Sequence, residues 1–190
     1  MANFVYVLFD ERSGEAAVID SGWETGSITG AIEKLGAKVK YAIASHGHFD
    51  HTSTLQELAD KTGADVVAHD SSALTCQKRV SDGDQLRLGS SALRILHTPG
   101  HTQDSICVHD GRNVFTGDTL FVGTIGKFER DDAAVMYKSL IGVLLRLPAN
   151  TVVYPGHDYG ELPSRSLAEE AASNPFLMAR DLRSFQSLFS

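Results

Sequence analysis

Between Ser45 and His51 the chain reads Ser-His-Gly-His-Phe-Asp-His, which puts four potential metal ligands, His46, His48, Asp50 and His51, within six residues. Imidazole nitrogen and carboxylate oxygen together suit a divalent transition metal such as zinc, with iron or manganese as alternatives on the same donors. Residues two apart project to one side of an extended backbone, so His46 and His48 form one pair. Asp50 and His51 follow as the chain turns into a helix, and form a second pair aimed at a neighbouring position. Two such pairs side by side predict two ions close together. His69, His97 and His109 stand outside this pattern and are read as structural residues.

Two ions need more ligands than one short segment holds. Pro99-Gly100-His101, Gly117-Asp118 and Pro155-Gly156-His157 each follow a predicted strand. In each, a glycine permits a sharp turn just before the potential ligand, and side chains set at strand ends along one edge of a scaffold converge. Asp118 can bridge two ions, which an imidazole cannot. Divalent cations can make bound water reactive toward hydrolysis, and Asp50 can orient such a water as well as bind metal. No Gly-x-Ser-x-Gly elbow or Gly-x-Gly-x-x-Gly fingerprint is present, and Gly126-Lys127 lacks the spacing and Ser/Thr of a phosphate loop. Serine-nucleophile hydrolysis and nucleotide binding are therefore set aside.

The elements that must carry these residues follow from periodicity. Alternation over Asn3–Leu8 and the apolar run Glu15–Asp20, joined by a turn at Asp10–Gly14, predict an opening hairpin. Ile28, Ala31, Ile32 and Leu35 predict a helix over Ser27–Leu35 closed by Gly36, and Val39–Ala44 is a buried strand leading into His46. Thr52–Thr62 is a helix presenting Leu55, Leu58 and Ala59 inward. Short strands are expected over Asp65–Ala68, Gln85–Leu88, Leu93–His97, Ser105–Val108 and Asn113–Thr116, with Asp110-Gly111 turning between the last two. Ala133, Met136, Leu140, Val143, Leu144 and Leu147 form the strongest helical stripe, ended by Pro148. Thr151–Tyr154 is a final strand, Ser164 caps a helix running to Ala172, and the tail from Asp181 forms one more. Helices late in each half, without strict alternation with strands, favour an α/β (α+β) sandwich of mixed sheets over a doubly wound parallel sheet.

Composition narrows the partners. A chain of 190 residues fits one domain, taken as 1–190. A net charge of −7 opposes a nucleic-acid ligand, which needs a basic footprint. No apolar run approaches the ~20 residues of a membrane span, and Phe4–Phe9 is too short, and lacks the basic flank, to be a signal peptide. Cys76 and Cys107 make no disulfide framework. The expectation is a cytoplasmic protein acting on a small molecule.

His46–His51 matches the His-x-His-x-Asp-His signature of the metallo-β-lactamase fold, and His101, Asp118 and His157 match its later ligands in order. Asp20 stands where that superfamily usually carries a structural aspartate. The resemblance implies a four-layer αββα sandwich with two metals at one edge of the sheets. It places His46, His48 and His101 on one ion, Asp50, His51 and His157 on the other, and Asp118 between them.

Within the superfamily the chain most resembles glyoxalase II, the hydroxyacylglutathione hydrolase group. Phe115–Val122 with Gly126-Lys127-Phe128-Glu129 is similar to that group's metal-bridging and glutathione-contacting segment, and Tyr154–Tyr159 to its last-ligand segment. Pro163-Ser164, Leu167–Glu170 and Asn174–Phe176 resemble a stretch near its C-terminus. The resemblance implies a metal-bound hydroxide that cleaves a thioester, possession of a glutathione conjugate as substrate, and substrate contacts from Lys127, Phe128 and Tyr159. The chain departs from the group in three places. It passes from Tyr159 to Pro163 where a helical insertion is usual, it ends soon after Phe185 with Arg183 as a partial substitute for a basic clamp, and it has Glu129 where many relatives carry an aromatic residue. Persulfide dioxygenases, which hold one iron on part of the same ligand set, and lactonases are the alternatives. The dioxygenases usually carry Arg-Thr-Asp where this chain has Gly126-Lys127-Phe128.

Overall fold

The computed structural model describes residues 3–189. Two β-sheets stack face to face. The first holds β1 (Tyr6–Asp10), β2 (Glu15–Ile19), β3 (Lys38–Ile43), β4 (Asp65–His69) and β5 (Lys78–Val80) in that spatial order. Only the β1–β2 hairpin is antiparallel; β2 through β5 run parallel. The second sheet takes its strands out of chain order: β13 (Arg165–Ser166), β12 (Val152–Pro155), β9 (Asn113–Gly117), β8 (Ile106–His109), β7 (Ser91–His97) and β6 (Gln85–Leu88). There β12 lies parallel to β9 and every other pair is antiparallel.

The two-residue period of a strand sorts its side chains between layers. Val67 of β4 joins Ile19, Ile43, Leu93, Ile95 and Val108 in the core between the sheets. Its neighbour Val66 turns outward, against Ile28 and Ile32 of α1 (Gly26–Leu35) and Leu55 and Leu58 of α3 (Leu55–Thr62). On the far side, Leu96, Val114 and Val153 of the second sheet meet Met136, Leu140 and Leu144 together with Leu167 and Phe185. These three apolar cores define four layers, helix–sheet–sheet–helix, the αββα arrangement expected.

Several elements differ from expectation for identifiable reasons. The helix expected over Thr52–Thr62 is broken, with a single turn α2 (Phe49–Thr52) preceding α3. At the break the Ser53 and Thr54 hydroxyls donate to the Gly22 carbonyl, pinning the chain to the β2–α1 connection instead of continuing the helix. The long stripe after Ala133 begins as α4 (Ala133–Tyr137), widens to i→i+5 turns over Lys138–Val143 and tightens to 3-10 geometry over Leu144–Arg146. Met136, Leu140 and Leu144 are four residues apart and all fully buried. That spacing lies between the α and the wider turn, so the stripe located the buried face without discriminating the winding.

Ser166, not Ser164, caps α5 (Leu167–Ser173). Ser166 has Glu169 three residues on, and the two make a reciprocal capping box, whereas Ser164 has Leu167 there. Strand β13, where the helix from Ser164 is expected to begin, was not anticipated; nor were β5 and the small hairpin of β10 (Leu120–Phe121) and β11 (Thr124–Ile125), all being too short to show alternation. The tail helix α6 (Leu182–Ser187) is capped by Asp181. No helix among the described residues is long and apolar enough to cross a membrane.

Candidate metal centre

The first sheet delivers its donors where β3 ends. Ser45 and His46 leave that strand buried, His48 is exposed one step on, and Asp50 and His51 ride on α2. The second sheet delivers the rest from three strand ends: His101 after β7, Asp118 after β9 and His157 after β12. Asp118 follows Gly117, whose φ of +48° is one that glycine tolerates, and a Cβ there would lie 2.5 Å from Ser45 Oγ. His101 is fixed from behind: Ser139 donates to the Pro99 carbonyl at 2.6 Å, and Gly100 lies against Met136 too closely for any side chain.

All seven predicted ligands are brought together. His48 Nδ1 lies 3.0 Å from His46 Nε2 and 3.0 Å from His101 Nε2. His51 Nε2 lies 3.2 Å from His157 Nε2, and Asp50 Oδ2 is 3.5 Å from the latter. The Asp118 carboxylate stands between the two sets, 3.3 Å from His51 and from His157 and 3.6 Å from His101. The donors fall into three overlapping groups, His46–His48–His101, His46–His51–Asp118 and Asp50–His51–His157.

The surrounding hydrogen bonds set the imidazole tautomers. A carboxylate or carbonyl oxygen only accepts, so His51 Nδ1 donates to Asp20 at 3.0 Å and His101 Nδ1 donates to the Lys127 carbonyl at 2.6 Å. Ser45 gives its one hydroxyl proton to Asp20 at 2.7 Å, which leaves Ser45 Oγ to accept from His46 Nδ1 at 3.0 Å. In their neutral forms these three rings therefore aim Nε2 lone pairs at the centre, the arrangement in which imidazole binds metal. His48 Nδ1 faces two of these lone pairs, those of His46 and His101, at 3.0 Å each; a single proton there cannot fully satisfy both, whereas a cation among the three nitrogens can. Tetrahedral donors around one zinc ion at ~2.1 Å stand ~3.4 Å from each other, close to the separations here. Asp118 Oδ1 is buried without any hydrogen-bond partner, as is His157 Nδ1. The donor set, its spacing and the orphaned carboxylate oxygen fit divalent metal ions.

The charges point the same way. Burial, the His51 charge and nearby imidazoles push His46 well below the usual histidine range, and burial lowers His101. Burial would lower His51 too, but the Asp20 and Asp118 carboxylates outweigh it and hold it up at about 10. Burial opposes ionisation of Asp118, yet the His157 and His51 imidazoles, each 3.3 Å from its carboxylate, drive it far below the carboxylate range.

Two positioning residues were not anticipated. Asn3 Nδ2 donates at 3.1 Å to both the carboxylate and the backbone carbonyl of Asp50. No local sequence signal links positions so far apart; the connection arises because Asn3 bridges to His157 beyond the start of β1. Ser45 stood in the motif but had been given no role.

The expected substrate contacts fare unequally. Tyr159 stacks on His157, with ring centroids 4.8 Å apart, and remains 54% exposed. Lys127 is exposed, and its demonstrated contact with the centre is the backbone carbonyl that orients His101. Phe128 lines a groove beside His48 and His101, but much of its ring packs on Phe185 and Phe189. Arg183 is exposed on α6 and is not among the residues lining that groove.

Residues 2–157 match the family model described as the metallo-beta-lactamase superfamily. Over 167 residues the chain is 37% identical to a cytoplasmic hydroxyacylglutathione hydrolase of Arabidopsis thaliana, covering 83% of this chain and 64% of that one. It is 34% identical over 182 residues to the mitochondrial persulfide dioxygenase ETHE1 of Mus musculus, covering 92% and 71%. Among solved structures, ETHE1 from Myxococcus xanthus superposes with a TM-score of 0.92 at 34% identity, covering 98% of this chain and 84% of that one. TTHA1623 in a di-iron-bound form gives 0.76 at 27% identity, covering 91% and 94%. With a family match across most of its length, a four-layer sandwich and seven His and Asp side chains gathered at one end of its sheets, the chain belongs to the metallo-beta-lactamase superfamily.

Proposed function

We propose that residues 1–190 form one hydrolase domain that uses two divalent metal ions to cleave an acyl thioester. The observation that carries this is the Asp118 carboxylate, with one oxygen near His51 and the other near both His157 and His101. His46, His48 and His101 would hold one ion and Asp50, His51 and His157 the other, with Asp118 shared. Zinc suits these donors, and iron or manganese fits them too. The metals supply Lewis acidity, which brings a coordinated water's pKa to about 7 and stabilises charge developing on the substrate carbonyl.

The chain's own groups do the positioning. Asp50 Oδ2, held by Asn3, orients the attacking water and accepts its hydrogen bond. As the C–O bond to the acyl carbon forms, the C–S bond breaks, and the proton from water ends on the departing sulfur. Burial and the Asp118 and Asp50 carboxylates raise the Tyr159 hydroxyl above its usual range, so it stays protonated and serves as a hydrogen-bond donor to substrate. The relatives named hydroxyacylglutathione hydrolases support the thioester class. Free Cys76 and Cys107 suit a reducing compartment, and we place the protein in the cytoplasm.

A second proposal, mononuclear iron persulfide dioxygenase, draws support from the likeness to the ETHE1 structure over 98% of the chain. Metal analysis of protein purified without added metal separates the two. Two ions per chain with thioester turnover is the expected result; one iron per chain, with rapid oxygen uptake on glutathione persulfide, overturns it. Asp118→Ala should lose metal and lower turnover on the order of 10²–10³-fold, measured by metal content and steady-state kinetics.

A further inference from the structure

A groove of about 600 Å³ opens beside His48 and His101, and its far wall is Ile125, Phe128, Phe176 and Phe189. That volume lies in the range of small-molecule sites, which are mostly apolar with a few placed polar groups. The rings support one another. Phe128 meets Phe189 edge-on at 4.6 Å, Phe176 stacks on Phe189 at 5.4 Å, and fully buried Phe185 backs Phe189 at 5.2 Å. Phe128, Phe176 and Phe189 are only partly buried, so this wall is anchored from behind and still open toward the groove.

The charged lining is balanced. Lys127 and Glu129, both exposed, flank Phe128 with opposite signs. A glutathionyl group carries two carboxylates and one ammonium, so its net negative charge gains little from one cation set beside one anion. An uncharged ring or alkyl chain gains from three aromatic faces and incurs no cost of stripping water from a charge.

We propose that this groove receives an uncharged aromatic or alkyl portion of the substrate, making the protein a hydrolase of apolar thioesters rather than of glutathione conjugates. This rests on the thioester hydrolysis proposed above, since the groove selects among substrates that the metal centre must already be able to cleave. The apolar portion can belong to the acyl group or to the thiol, and each makes the same contact with the phenylalanines.

The test uses the metal-loaded full chain and two series of thioesters. One varies the acyl group from acetyl to phenylacetyl on a fixed neutral thiol; the other varies the thiol from glutathione to benzyl mercaptan on a fixed acetyl group. In at least one series the apolar member should exceed its counterpart in kcat/KM by roughly 10²-fold, and the series concerned shows which end occupies the groove. Phe176→Ala and Phe189→Ala should each cut that ratio about tenfold, with Phe189→Leu restoring part of it. Glu129→Lys, a rim change outside the aromatic cluster, should shift the ratio toward the glutathione thioester. Turnover that favours glutathione thioesters, or a ratio unmoved by both phenylalanine variants, overturns the groove assignment and leaves thioester hydrolysis standing. No turnover of any thioester by fully metallated protein overturns the hydrolase itself, and the groove assignment with it.

Discussion

Asp20 serves the centre without lying among its predicted ligands. Its carboxylate accepts from the Ser45 amide at 2.8 Å, the Ser45 hydroxyl and His51 Nδ1. It does so from a backbone φ of +56°, the one positive value at a non-glycine residue among those described. That conformation is sparsely populated for side-chain-bearing residues, and the three hydrogen bonds hold it. Asp20→Asn removes the charge and keeps the shape. Metal affinity should fall roughly 10–100-fold, as read by competition with a chromophoric chelator, while thermal unfolding of the loaded protein stays cooperative. His51 should also lose basicity, so fewer protons are released on metal binding at pH 7 than in the parent protein, as read by calorimetry in paired buffers. At this scale much was legible. His46–His51 announced itself by density, and His101, Asp118 and His157 by a glycine at each strand end. Asn3 was not legible, because its tie to Asp50 is made by a crossing of the chain rather than by neighbourhood in sequence.

Elements act on the centre through close approach. Where β12 runs parallel to β9, the Gly156 amide donates to the Gly117 carbonyl at 2.8 Å, which puts the ends of both strands under the metal donors. A Cβ at Gly156 would lie 2.6 Å from Asp118 Oδ1 and 2.9 Å from His51 Cε1. Gly156→Ala should therefore displace the carboxylate and lower turnover about 10²-fold, the usual result of misplacing a reacting group by ~1 Å. Far-ultraviolet circular dichroism should remain that of the parent; full activity with two ions bound would remove Asp118 from its bridging role. Strands bounded by turn residues and helices with clear stripes were readable. The pieces that were not, β5, β10, β11 and β13, are two or three residues long and owe their pairing to partners already in place.

On the scale of the molecule, the centre joins the two sheets, since His46, His48, Asp50 and His51 come from one half and His101, Asp118 and His157 from the other. Removing metal makes protons responsible for that junction. His51 has a folded pKa of about 10 against an ordinary 6.5, so its proton stabilises the metal-free fold fully below pH about 6.5 and progressively less as pH rises toward 10. Chelator-treated protein should show a melting temperature that falls between pH 7 and 10. Metal-loaded protein should show no such fall in scanning calorimetry, because the ion takes the proton's place and binds more tightly as pH rises. Parallel pH profiles for the two forms would show that His51 does not carry the charge assigned to it.

The order of the donors along the chain has a temporal side. A ribosome makes His46, His48 and His101 well before Asp118, and His157 last of all. A nascent polypeptide therefore owns one trio of imidazoles before it owns the other group, since β12, which leads into His157, must still pair with β9, and β13 joins only after that. Under the two-ion proposal, the second site is complete only when synthesis of the sandwich is almost finished, which would make its loading a marker of maturation rather than a step that guides the early chain.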